Sequence, residues 1–428
     1  MSSLLFCVVL LVTQPEVSPA DPKLTAGPVL GRMTPSQIHV WCRADAADRK
    51  VTGVLLDQQG EEVCRVSSMA RTDSDLTVDL VFEKDVQPGT AYRYRIELDG
   101  QPVASSPGQQ FETPSDEAKE ARLVFGSCAN KKIVSENGIW QAIRNRNPHQ
   151  LVFLGDTPYI DSTDLEKQRA AHREFWNYPG LDQLVRSTAV ASTWDDHDYG
   201  VNDAVGIIKN RENARQAFLE YHPLGSIGDG QGGGGYTSFR RGPVEVFLLD
   251  TRWYGKTEPS PLDPEKTTLL GASQWEWLRK GLKESTAPFK IISSGMIFNG
   301  SVRPGKKDHW MQFPHERNGL LKFIGQEKIS GVLIVTGDIH RCRHLSYPGT
   351  EGAGYPIDEW ITSPLGNFVI DAANVAHPSL VFDGGEKAVF LSIEAKATGK
   401  DAELWSRLIR ADGEVIHQKR YQASGLKP

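Results

Sequence analysis

One pattern recurs along the second part of this chain and limits what it can fold into: a short apolar run that stops abruptly at an acidic, imidazole or thiol side chain. Arg122–Gly126 runs into Ser127-Cys128, and Gln150–Leu154 into Gly155-Asp156. Thr188–Thr193 enters Trp194-Asp195-Asp196-His197-Asp198, Val244–Leu249 enters Asp250-Thr251-Arg252, and Gly331–Thr336 enters Gly337-Asp338-Ile339-His340. Runs this short and apolar predict buried strands. In layered α/β folds the edge where such strands end is where sites assemble, because loops converge there from several strands. A single Asp after a strand is ordinarily a helix cap. Five such ends, two of them carrying His, exceed what capping explains. Carboxylates as crowded as Asp195, Asp196 and Asp198 repel one another, so a folded core must supply them with a cation or protons.

The segments between these runs complete the α/β reading. Gly138–Arg146, Asp164–Phe175, Lys209–Tyr221 and Ser273–Lys283 predict helices, the last placing Trp275, Leu278 and Leu282 on one face. Phe289–Ser293 predicts a further strand, and Tyr236–Phe239 with Val244–Leu249 a hairpin. Gly228–Gly235 lacks the strand-before, helix-after setting of a phosphate-cradling loop and reads as a flexible connection. Residues 24–114 differ: Ser36–Arg43, Val51–Leu56, Thr77–Phe82 and Tyr92–Leu98 are short β-prone runs separated by turn chemistry. That region resembles a fibronectin type III or immunoglobulin-like sandwich, and its expected role is to pack against or orient the next domain. Thr113–Ala121 reads as the linker.

Charge and termini exclude some functions. A net charge of −6 without a long basic run leaves no nucleic-acid footprint. Leu4–Val12 is apolar but too short to span a bilayer, and Ser18-Pro19-Ala20 offers the small residues of a cleavage site. We therefore expect a signal peptide over 1–20 and an exported protein, periplasmic or extracellular, although the first residues carry no Lys or Arg. No later segment is long and apolar enough for a transmembrane span. Cys42, Cys64, Cys128 and Cys342 remain; in an oxidising compartment Cys42 and Cys64 could pair, one of three possible pairings.

The ligand chemistry is coherent. Asp156, after a strand and beside Gly155, is the natural bridge between two ions. Tyr159 would add a phenolate and Cys128 a thiolate, a set suited to iron in its oxidised state. Asp196, Asn202 and Asp338 are oxygen donors suited to calcium, magnesium or manganese, and His340 could join either ion. Zinc is a further candidate ion.

FGSCAN (125–130), LGDTPY (154–159), WDDHDYGVND (194–203), LDTRWY (249–254) and TGDIH (336–340) resemble, in that order, the PhoD-type alkaline phosphatases of the calcineurin-like metallophosphatases. The resemblance covers roughly 122–425, with a PhoD-like β domain before it. It implies a four-layer α/β/β/α sandwich, a multinuclear site of iron with calcium, and hydrolysis of phosphate esters. It also implies that Cys128, Asp156, Tyr159, Asp196, Asp338 and His340 are metal ligands and that His197 is an imidazole near the leaving group. The chain departs from the wider superfamily at the first motif (Ser127-Cys128 for D-x-H) and the last (Gly337-Asp338-Ile339-His340 for G-H-x-H). Ser293–Met296 offers no His, while His309 and His315 lie farther on in a loop.

The expected mechanism is in-line attack by a metal-activated hydroxide, with Arg252 neutralising the equatorial oxygens and His197 serving the leaving oxygen. The substrate would be a small phosphate ester or, with the same metals, a phospholipid headgroup, as in a phospholipase-type phosphodiesterase. Trp253, Tyr254, His309 and Trp310 are candidate pocket walls. A reading from another class is a calcium-stabilised exported binding protein without turnover, which has no use for His197, Cys128 or Tyr159.

Overall fold

The computed structural model describes residues 23–103, 110–130, 134, 138–225, 227–228 and 233–428; the expected signal segment and part of the Gly228–Gly235 connection lie outside them. In the N-terminal region, Ala26–Thr34, Gln37–Arg43 and Thr77–Phe82 form one antiparallel sheet. Lys50–Leu56, flanked by Glu62–Met69 and Ala91–Leu98, forms the centre of a second. Their inner faces bury Leu30, Ile38, Val40, Leu55, Leu80, Tyr94 and Ile96 in one core. The expected pairing of Cys42 with Cys64 does not occur, since both thiols are free. They stand on strands of different sheets, Cys42 opposite Val78 and Cys64 opposite Leu55, and each packs into the shared core as a small hydrophobe.

Two further sheets carry the recurrent strand ends. The first has the order Ala189–Thr193, Gln150–Leu154, Glu120–Gly126, Val389–Thr398, Asp401–Arg410, Val415–Gln422, and its first three strands are parallel. The second has the order Thr237–Arg241, Val244–Leu248, Phe289–Ser293, Val332–Thr336, Ile357–Ile361, Arg343–Tyr347, Leu380–Asp383, with a parallel run from the second to the fifth. The apolar runs are uninterrupted because both faces of each sheet are covered. Leu151 and Phe153 point to one helical layer, while Val152 and Leu154 meet the opposing sheet. Val332 and Ile334 likewise face the other helical layer, and Leu333 and Val335 face inward. The architecture is the expected α/β/β/α sandwich.

Several element boundaries differ from the sequence reading. Glu120 and Ala121 open a strand instead of closing a linker. His315 lies not in a loop but on the helix Pro314–Gln326, whose first-turn Pro needs no amide partner. Strands Val389–Thr398, Asp401–Arg410 and Val415–Gln422 complete the first sheet and have no counterpart among the expected elements.

The β region is docked firmly. Trp41 donates from its indole nitrogen to Glu220 O at 2.7 Å and packs against Trp176 and Tyr221. Asp75 accepts from Arg43 and, across the junction, from Arg173 at 2.9 Å.

Candidate metal centre

The parallel strands of both sheets end at one edge, and there the backbone adopts conformations that side-chain-bearing residues seldom take. Cys128 (φ 60°), Asp156 (φ 55°), Asp338 (φ 70°) and His340 (φ 49°) all lie in the left-handed region. Such strain persists only where the surroundings over-determine it, typically at functional sites. Close approach is enforced by glycine: a Cβ on Gly155 would lie 2.3 Å from the Asp195 amide nitrogen, and one on Gly295 2.4 Å from Asp195 Cγ. Asp198 clasps two strand ends by accepting from the amides of Asp156 (2.9 Å) and Asp195 (2.8 Å). Asp250 organises the next turn, accepting from Trp194 Nε1, Gly235 N, Arg252 N and Trp253 N. One of the five strand ends, that of Asp250, is thus committed to scaffolding.

Asp156 is the hub. Among the described residues it belongs to three of the four groupings whose ligand atoms lie within 4.8 Å of one another: with Cys128 and His340, with Asp196 and His197, and with Asp195, Asp196 and Asp338. Cys128 Sγ lies 3.6 Å from Asp156 Oδ2 and is fully buried. His340 Nδ1 donates to Phe368 O at 3.1 Å, so its Nε2 is the free lone pair, and Tyr159 O–H donates to that nitrogen at 2.5 Å. A backbone carbonyl fixing one ring nitrogen so that the other can ligate is the usual outer arrangement of a metal-binding His. His197 is held by Asp161 Oδ1 at 2.6 Å from Nδ1, beside the Tyr159 ring. Burial pulls its pKa down, but Asp156, Asp196 and Asp161 together hold it above the ordinary value.

A fourth grouping, Asp196, Asp203 and Asp308, extends the acidic surface. Two cations serve it. Arg252 is fully buried beneath it, donating from Nε to Asp195 Oδ1 at 2.5 Å and from Nη1 to Asp308 Oδ2 at 2.6 Å. Lys306 reaches it from the other side, 2.6 Å from Asp338 Oδ1 and 3.0 Å from Asp308 Oδ1.

The donors fit metal ions. Asp156 Oδ1, Asp195 Oδ2, Asp196 Oδ1 and Asp338 Oδ2 are buried carboxylate oxygens without a hydrogen-bond partner among the described residues. Orphaned oxygens of this kind are costly unless a cation or proton meets them. The crowding shows in the acidity of two of these carboxylates: burial, reinforced by Asp196, raises Asp156 to about 6, and burial raises Asp338 to about 8 despite Lys306. At Asp196 burial is outweighed by Arg252 and Lys306, which hold it below the ordinary value. Thiol, phenol, imidazole and carboxylate around Asp156 match the set expected for an oxidised transition metal, and the carboxylates beyond it match a hard cation.

The centre opens into a cavity of about 600 Å³ lined by Tyr159, His197, Asp338 and His340, with Asn202 on its exposed rim. Its wall also includes Asp203, Arg303, Lys306, Phe368 and Ile370. The expected walls are elsewhere: Trp253 stacks on Trp194, and Trp310 is buried against Phe298. Tyr254 packs at Gly233 and Gly271, and His309 against Gly300. Arg252 likewise lies beneath the cavity and not on its wall. Asp161, Asp203, Arg303, Lys306 and Asp308 escape the sequence reading. Asp161 and Asp203 sit within or beside quoted motifs and could be found there, whereas the loop Arg303–Asp308 follows no apolar strand and gives no signal.

Paired sheets between helical layers, with this centre at the strand ends, define a protein of the metallophosphatase fold. A solved structure of PhoD superposes with a TM-score of 0.77 at 19% identity, covering 96% of this chain and 93% of that one. The purple acid phosphatase PPD1 of yellow lupin (Lupinus luteus) seeds superposes at 0.69 and 12% identity, over 92% and 73%. Residues 123–377 match the PhoD-like phosphatase family, and the chain belongs to it. Residues 21–116 match a domain of unknown function, DUF7800. Alkaline phosphatase D of Bacillus subtilis (strain 168) is 25% identical over 305 residues, 60% of this chain and 52% of that protein, so the chain spans about half the length of this curated relative.

Proposed function

We propose that this protein is an exported metal-dependent phosphoesterase. The observation that carries the reading is the gathering of Cys128, Tyr159 and His340 around Asp156, next to orphaned carboxylate oxygens and open to one cavity. A binding protein merely stabilised by calcium has no need of a thiol, a phenol and a fixed imidazole at one carboxylate. Cys128, Asp156, Tyr159 and His340 would hold one ion, for which iron is the proposal. Asp156, Asp196 and Asp338, with Asn202, would hold a second, for which calcium is the proposal. Such ions supply Lewis acidity to water and to phosphoryl oxygens.

The chain's own residues do the rest. Asp161 keeps His197 protonated at Nδ1 and orients the ring, so that Nε2 can pass a proton to the departing oxygen. Arg303 on the cavity wall offers its guanidinium to the ester's equatorial oxygens, while Arg252 beneath holds Asp195 and Asp308 in place. The alkaline phosphatase D relative supports phosphate esters as the substrate class; monoester, diester and phospholipid headgroup share that chemistry. The apolar run at Leu4–Val12 supports export. Among the described residues no helix is long and apolar enough to cross a membrane.

The test pairs elemental analysis of the untagged protein with hydrolysis of aryl phosphate mono- and diesters, before and after chelation. Iron and calcium near stoichiometry, with chelator-sensitive turnover that Asp156→Ala abolishes, is the expected result. Absence of turnover on every ester in the metal-loaded protein would overturn it.

A further inference from the structure

The Asp196–Asp203–Asp308 grouping has the donors of a third cation site, yet a side chain of the same protein already reaches it. Lys306 Nζ lies 2.6 Å from Asp338 Oδ1, 3.0 Å from Asp308 Oδ1, 3.7 Å from Asp203 Oδ1 and 3.8 Å from Asp196 Oδ2. Its side chain is only 10% exposed, and three of its four carboxylate partners are nearly inaccessible. The segment that delivers it, Arg303-Pro304-Gly305, is short, and Gly305 (φ +83°) turns it with open space around. Two residues on, Asp308 is pinned by Arg252 Nη1 at 2.6 Å, so the loop that carries the ammonium is anchored to the group it neutralises.

We propose that Lys306 is a tethered cation standing in place of a metal ion at Asp196, Asp203 and Asp308, so that inorganic ions bind only on the Asp156 side of the centre. The inference rests on the metal-centre reading and concerns ion number, not turnover. A chain-borne ammonium is held at high local concentration and does not diffuse away, and it meets several carboxylate oxygens at once as a compact point charge. The carboxylates of this end are thereby partly neutralised without drawing on dissolved calcium.

The experiment counts ions. Wild type, Lys306→Met and Lys306→Arg are stripped, titrated with calcium alone by calorimetry, and analysed for bound metal after dialysis, with circular dichroism checking the fold. Lys306→Met is expected to bind one more calcium per chain than wild type, and Lys306→Arg the same number as wild type. An unchanged or reduced count in folded Lys306→Met overturns the proposal, at whatever affinity. Acetylation of wild type gives a second readout that needs no variant, with exposed Lys307 as internal control. Lys306 should stay protected at saturating calcium; a ten-fold or greater gain in its labelling relative to Lys307 would mean that calcium displaces it, and would overturn the assignment. Wild type that binds no ion of any kind removes the metal centre itself, and this inference with it, whereas metal binding without ester hydrolysis leaves the inference intact and overturns only the enzymatic reading.

Discussion

Asp161 Oδ1 accepts from His197 Nδ1 at 2.6 Å, and that contact leaves Nε2 as the ring nitrogen that the proposed proton transfer would use. A proton donated to the leaving oxygen matters most when that oxygen is a poor leaving group. His197→Gln should therefore lower kcat on alkyl phosphates by roughly 10²-fold or more and on nitrophenyl phosphate far less. Asp161→Asn should move kcat in the same direction by a smaller factor, on the order of ten-fold, with KM little changed. Rates across a series of leaving groups check both; equal losses on every ester would remove the proton-transfer role from His197. Gly295 gives a second test at this scale. A methyl there would press on Asp195, so Gly295→Ala should destabilise by about 1–3 kcal/mol in a denaturant titration. Of the residues singled out in the sequence, Cys128, Asp156, Asp196, His197, Asp338 and His340 stand within four residues of the end of an apolar strand, while Tyr159 and Asn202 lie farther along the same motifs. Lys306 and Asp308 arrive on a loop, where proximity is made by tertiary packing and leaves no periodic trace. Arg252 is legible as a cation beside the site, but its burial is not, because position along the chain does not reveal depth.

Strands buried on both faces are legible nearly to the residue, since Phe289–Ser293 and Val332–Thr336 have no exposed position to confuse the pattern. The C-terminal strands are harder to read, although Asp401–Arg410 alternates buried and half-buried positions and the Gly399-Lys400 turn before it (Gly399 φ 60°) is a two-residue hairpin connection. That turn is the available signal. These strands also form the cross-sheet clamp. Asp358, on Ile357–Ile361 of one sheet, accepts from His344 Nε2 at 2.9 Å, and from Lys419 Nζ at 2.5 Å and Tyr421 O–H at 2.6 Å on Val415–Gln422 of the other. Burial opposes ionisation of Asp358, but His344 and Lys419 outweigh it and hold the carboxyl below the usual range. Asp358→Ala leaves His344 and Tyr421 buried without their acceptor and should cost about 3 kcal/mol or more, read as a lower denaturation midpoint. Faster amide exchange confined to Val415–Gln422 would accompany it. A midpoint within experimental error of wild type would show that the clamp adds nothing to cohesion between the sheets.

At the scale of the whole molecule, the β region and the sandwich meet over an aromatic floor that also contains two imidazoles. Trp41 rests on Trp176 and Tyr221; behind them His172 stacks on Tyr221, and its Nδ1 faces His222 Nε2 at 3.3 Å. One ring of that pair donates and the other accepts, which requires that they not both be charged. Burial lowers His172 to about 3 and His222 well below its ordinary value. The sign comes from linkage. Unfolded His binds a proton near pH ~6.5 while the folded pair does not, so the folded state is favoured above that pH and loses stability as pH falls from ~6.5 toward 3. The melting temperature of the metal-loaded protein should thus hold steady from pH 8 to 7 and decline below ~6.5. Because metal-site carboxylates also titrate on acidification, the decisive comparison is with His172→Gln/His222→Gln, which removes the imidazoles and leaves the centre untouched. The double variant should begin lower at pH 8, having lost packing at the dock, and fall less steeply between pH 6.5 and 5. Parallel decline of the two proteins would mean that acid acts on the centre alone and that the docked β region is indifferent to pH.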